Sequence, residues 1–99
     1  MNAPDLNRNI LKRHIQAIEA ATPIHILGLL PRGSVGHVKE SDERALEFLA
    51  EKQEGLSIFD LAQAEIDLGE RLGRTAGIVL VSGLRGREAE ELPKLVEAL

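Results

Sequence analysis

Apolar residues at Leu6, Ile10, Leu11 and Ile18, joined by His14, recur at three- and four-residue steps, so residues 5–21 predict a helix with one buried stripe. Asp5 stands where its carboxylate can cap the free amides of the first turn. Thr22-Pro23 ends this helix, because the residue before a proline is pushed out of helical geometry. The run IHILGLL, residues 24–30, is short, nearly continuously apolar and bounded by Pro23 and Pro31, the profile of a strand buried on both faces. A glycine-bearing turn is expected over residues 31–36.

Further along, Ser57 and Asp60 have the spacing of a capping box, with Asp a shorter fit than Glu. Leu61, Ala62, Ile66, Gly69 and Leu72 then form one apolar stripe, so residues 57–72 predict a helix stopped by Gly73-Arg74. Gly69 lies on that stripe, where glycine costs about 1 kcal/mol of helix propensity; close packing against another backbone is the simplest reason for it. AGIVLVS, residues 76–82, reads as a second strand rich in β-branched residues. The remainder reads as a turn and a closing helix, which Pro93 should either delay until near Leu92 or kink.

Residues 38–51 admit two readings. As a helix, Ser41 caps, Asp42 and Glu43 sit at the positive end of the dipole, and Ala45, Leu46, Leu49 and Ala50 share a face. As a strand, Leu46, Phe48 and Ala50 alternate with Glu47, Leu49 and Glu51, a weaker period-two pattern. Local spacing favours helix. Apolar strands separated by helices point in any case to an α/β (α+β) fold in which helices cover a small mixed sheet.

Composition narrows the function. Ninety-nine residues, 1–99, suit one domain with a core that needs no staples. The chain has no cysteine, which excludes disulfides, thiolate metal sites and cysteine nucleophiles. Its formal charge of -4 repels a phosphate backbone, and Phe48 and Phe59, the only aromatic residues, leave little on which to stack a base. Direct nucleic-acid binding is therefore not expected. No segment approaches the ~20 apolar residues of a membrane helix, and the opening MNAPDLNRNILKRH has no apolar run after its basic residues. A cytoplasmic, soluble protein is expected.

Isolated chemical signals are weak. His14, His25 and His37 fall on a helix, a strand and a turn, with no pair at metal-ligand spacing. His14 suits a helix flank and the others a sheet edge or turn; His37 near Ser34 lacks a third orienting group. Gly33-Ser34-Val35-Gly36 and Gly83-Leu84-Arg85-Gly86 both match GxxG, a pattern that most often marks an ordinary turn. Arg71 and Arg74 suit a helix C-terminus, Arg85 and Arg87 are open to a phosphate or partner contact, and Glu88, Glu90 and Glu91 suit an exposed acidic first turn.

The SIFDL helix start, the LGR that ends that helix, the GL after the following strand and the closing LVEAL together resemble the minimal nucleotidyltransferases, the antitoxin-type branch of the polymerase-beta-like nucleotidyltransferase superfamily. The similarity spans most of the chain and is strongest from Leu56 onward. It implies a nucleotidyltransferase-like domain over residues 1–99 and a strand, not a helix, at residues 46–51, and the strand is preferred for the topology. In that family a Gly-Ser turn meets nucleotide phosphates, and an Asp-x-Asp pair on the next strand, with a third Asp on the strand after LGR, holds two Mg2+ ions that steady an in-line displacement.

Aligned without a gap, Gly33 and Ser34 fall on the phosphate turn as the cofactor-binding residues. The three carboxylate positions become Ala45, Glu47 and Gly77. Glu47 alone retains a carboxylate, as the catalytic and metal-ligand candidate, and His37 and Val38 replace an expected arginine and glycine. A gapped register that uses Ser41-Asp42 places Arg44 where a metal ligand belongs and leaves Gly77 unchanged.

The resemblance therefore implies a degenerate site in a protein that acts by binding, antitoxin-like, a HEPN-type RNase toxin. Two alternatives stay open: an active enzyme that moves a nucleoside monophosphate from ATP to a protein with Mg2+, through Glu47 with Asp42 or Glu51, and a folded variant with no ligand. Enzyme activity is undecided by the sequence, Mg2+ and ATP belong only to the active reading, and homo-oligomerisation is open.

Overall fold

The computed structural model describes residues 8–31 and 45–99. Helix α1 (Arg8–Ala21) leads to strand β1 (Ile24–Leu30), and strand β2 (Leu46–Lys52), helix α2 (Ile58–Leu72) and strand β3 (Ala76–Leu80) follow. A 3-10 turn at Val81–Gly83, helix α3 (Arg87–Leu95) and a two-residue strand β4 (Glu97–Ala98) complete the chain. The four strands make one mixed sheet in the order β3-β2-β1-β4. β1 runs antiparallel to β2 and β4, while β2 and β3 are parallel, joined by α2 as the crossover that a parallel pair requires.

The segment with two readings is the strand β2, so the helical spacing around Ala45 to Ala50 is overridden. Phe48, Leu49 and Ala50 are fully buried, and β2 is paired along both edges, with β1 and with β3. A central strand covered on both faces needs apolar residues at consecutive positions, which makes its pattern look helical on one side. The helix cap expected at Ser41 lies outside the described residues, as does Asp5.

Two apolar clusters lie on opposite faces of the sheet. Leu11, Ile15 and Ile18 of α1 and Ala64, Leu68 and Leu72 of α2 close over Ile24, Ile26, Phe48, Ala50, Ala76 and Ile78. On the other face, Leu30 and Leu49 meet Leu84 and Leu92, with Leu27, Val79, Val81 and Val96 at the margin. An irregularity between Ile26 and Gly28 in the pairing of β1 with β2 inserts one extra residue, a β-bulge, at Leu27.

Local chemistry explains the boundaries of α2. Ser57 Oγ accepts from the Asp60 amide and Asp60 Oδ2 accepts from the Ser57 amide, each at 3.0 Å, so the capping box closes. Gly73 ends the helix in the left-handed conformation at φ 71°, its amide donating to the Gly69 carbonyl at 2.8 Å. A Cβ at Gly69 would stand 2.9 Å from the Arg74 carbonyl oxygen, which bears out close backbone packing as the reason for glycine there.

At each margin of the sheet a helix carboxylate satisfies a strand amide. Glu65 of α2 accepts from the Ile78 amide at 2.7 Å, and Glu19 of α1 accepts from the Ile26 amide at 2.8 Å with His25 Nδ1 3.3 Å away. His25 is exposed at the sheet margin, as its sequence position implied. Both contacts occupy strand groups that would otherwise be open to pairing with another chain.

Four details depart from expectation. The residues that α2 buries are Ala64, Leu68 and Leu72, so of the expected stripe Ala62 and Ile66 are exposed instead, on a different side of the helix. The second strand stops at Leu80 rather than Ser82, giving way to the 3-10 turn. Of the two readings of the last helix, the late start near Leu92 is the one ruled out, since it starts at Arg87 and carries Pro93 inside it, with Glu88 and Glu90 in an exposed first turn. Strand β4 has no sequence signature at all. Its approach to β1 depends on Gly28, where a Cβ would collide with the Glu97 carbonyl.

Candidate functional site

Glu47 lies on β2 between Leu30 of β1 and Gly77 of β3, its partners in the two ladders. Its side chain belongs to the sheet face away from α1 and α2, because Phe48 points into the cluster beneath those helices. Only 5% of Glu47 is exposed, so a carboxylate is held in a strand otherwise packed with apolar residues. Such burial costs free energy, and the groups around the carboxylate must compensate it.

Beside it opens a cavity of about 310 Å3 lined by Leu29, Leu30, Pro31, Ala45, Leu46, Glu47, Leu95 and Glu97. Ala45 immediately precedes β2, and the next residue is anchored to β3 by the Leu46 amide donating to the Thr75 carbonyl at 2.9 Å. The three positions aligned with the metal carboxylates, Ala45, Glu47 and Gly77, are thus brought together at one end of the β2-β3 pair. Together they offer a methyl group, one carboxylate and a hydrogen.

Sequence reasoning did not find Glu97, because a two-residue strand has no period to read. Glu97 pairs with Leu29, and its Oε2 lies 3.5 Å from Arg8 Nη2 of α1. Both of those side chains are largely exposed, so the contact is a weak surface pair. It directs the Glu97 carboxylate toward α1, across the sheet from Glu47. Gly33 and Ser34 lie outside the described residues, as do Asp42 and His37.

Mg2+ requires several oxygen ligands in near-octahedral order. Among the described residues no group of three His, Cys, Asp or Glu side chains converges on one point. The described walls of this cavity therefore do not fit a two-metal centre, and no reaction step is derived through one. What they do provide is a single buried carboxylate at the rim of an apolar recess. That arrangement can accept a hydrogen bond or pair with one cation.

Among the described residues, no helix is long and apolar enough to cross a membrane.

No family model matches the chain, and no curated protein matches it. A solved structure described as "Structure of putative minimal nucleotidyltransferase" is similar over 100% of this chain and 97% of that one, with a TM-score of 0.73 and 21% identity. Likeness at that identity speaks to the path of the backbone. The mixed four-stranded sheet with its three helices is accordingly a nucleotidyltransferase-like fold.

Proposed function

We propose that this chain is a degenerate minimal-nucleotidyltransferase-like protein that acts in the cytoplasm by binding another protein, as an antitoxin-like partner of a HEPN-type RNase toxin. The observation that carries the proposal is the pairing of Glu47 with Gly77 on adjacent strands, with Ala45 at the start of β2. By the resemblance these are the three carboxylate positions, and two of them have no functional group. A fold kept without its chemistry points to a surface kept for recognition.

The test is co-expression of the tagged chain with a HEPN-type toxin, followed by pull-down and intact-mass measurement of both proteins. The expected result is a complex that forms equally well with the wild type and with Glu47→Gln, with neither protein gaining mass. Absence of any complex overturns the proposal. A nucleotide-sized mass increase on either protein, lost in Glu47→Gln, would establish instead the active reading, with Mg2+ and ATP as cofactors and Gly33 and Ser34 on the phosphates.

A further inference from the structure

Helix α2 has a second apolar stripe, on the side away from the core. Phe59 is 82% exposed, Ile58 76% and Ile66 55%, a concentration unusual for one helix with only 15 residues. Next to the stripe, between α2 and β3, runs an open groove of about 640 Å3 whose walls include Ala62, Ile66, Gly69, Arg74 and Ala76. Three of these residues are small, and β3 beside them is the terminal strand of the sheet. Arg74 Nε is buried with no hydrogen-bond partner among the described residues.

The helix thus carries a projecting aromatic ring near one end and a small-walled groove with a guanidinium near the other. Phe59 and Ile66 are seven residues apart, two turns or about 10 Å along the axis, and Ile66 and Gly73 are the same distance apart. A two-fold axis at Ile66, perpendicular to α2, would lay two such helices antiparallel and set each Phe59 opposite position 73 of the other. That is the level at which Gly69 and Arg74 wall the groove. A ring seated there meets the guanidinium, a cation facing a π-surface, with no side chain at Gly69 or Gly73 to obstruct it.

We infer that this face docks a second copy of the chain, with Phe59 of each protomer inserted into the Arg74-walled groove of its partner. The contact is isologous, so it closes as a dimer and leaves no free copy of the same surface. Ile58, Phe59 and Ile66 together expose on the order of 400 Å2 of side chain, about half of the ~800 Å2 per partner of a stable complex. The dimer is accordingly of moderate strength, dissociating in the micromolar range. It uses the side of the sheet remote from Glu47 and is independent of the toxin-binding proposal.

Sedimentation velocity of the full 99-residue chain from about 1 µM to about 1 mM tests this directly. The expected result is a concentration-dependent shift from the 10.8 kDa monomer to twice that mass. Phe59→Glu should raise the dissociation constant at least about tenfold, and Arg74→Ala about threefold, with far-UV circular dichroism unchanged. Because the chain has no cysteine, Ile66→Cys gives a clean geometric probe, and it should form a disulfide-linked dimer on mild oxidation while Gln53→Cys does not. A wild type that stays monomeric throughout, or a dimer indifferent to Phe59→Glu, overturns the inference. So does a monomeric wild type whose toxin complex is lost in Phe59→Glu, which would give this face to the toxin.

Discussion

Phe48 and Leu49 are neighbours on β2, and both are fully buried, yet they belong to different cores. Phe48 enters the cluster closed by α1 and α2, where two long amphipathic helices supply six buried side chains. Leu49 enters the smaller cluster on the opposite face, closed by Leu84 and by Leu92 of the nine-residue helix α3. The same face holds Glu47 and the adjoining cavity. One face of the sheet is organised for stability, and the other leaves room for a polar group and an opening.

The largest test of that contrast is a pair of truncations. Phe48→Ala removes an aromatic ring from the thicker core and should cost about 4 kcal/mol, near the limit for a domain of this size. Leu49→Ala should cost less, about 3 kcal/mol, because the walls around it are thinner and better able to collapse. Urea unfolding followed by circular dichroism measures both. A larger loss at Leu49 would break the comparison and make the α3 face the principal core.

The helix-covered face was the more legible in sequence for the same reason. α1 shows regular three- and four-residue spacing, and the Ser57–Asp60 box marks where α2 begins, although the stripe read on α2 shares only Leu72 with the residues that helix buries. Ile24 to Leu30 is bounded by prolines at both ends, and the strand follows those limits. Each of these signals depends on residues close together in sequence. β2 was ambiguous because its strand character comes from β1 and β3, which sandwich it, and β4 was invisible because it consists of a short pairing with Gly28 and Leu29.

The site was only partly legible. Glu47 and Gly77, which the resemblance put at two carboxylate positions, are neighbours in the β2-β3 ladder, a register that no spacing in the sequence announces. The other positions that the resemblance assigned, Gly33 and Ser34, lie outside the described residues. Glu97 could not have been found, since nothing in its neighbours announces a strand that returns to β1.

A second, smaller effect concerns how α2 is attached. The Glu65 carboxylate accepts from the Ile78 amide at 2.7 Å, tying the helix to the terminal strand of the sheet. Glu65→Leu keeps the bulk but leaves that amide without its acceptor, and should cost about 2 kcal/mol. Glu65→Gln, which retains a carbonyl oxygen, should recover about half of the loss. Unfolding curves of the two variants check the order, and equal stability of both would show that the contact contributes nothing.

The smallest expected change joins the two faces of the comparison. Glu47, like Glu65, is a carboxylate beside a strand, but it is held on β2 with 5% of its surface exposed and interacts with its surroundings. Glu47→Leu removes the desolvation cost of the carboxylate, but it also leaves the groups around it without their partner. The two effects oppose each other, so the variant should lose only about 1 kcal/mol in the same urea experiment, and toxin binding should be unimpaired. A gain in stability instead would mean that the surroundings contribute nothing to holding the carboxylate, and that the fold tolerates it rather than uses it.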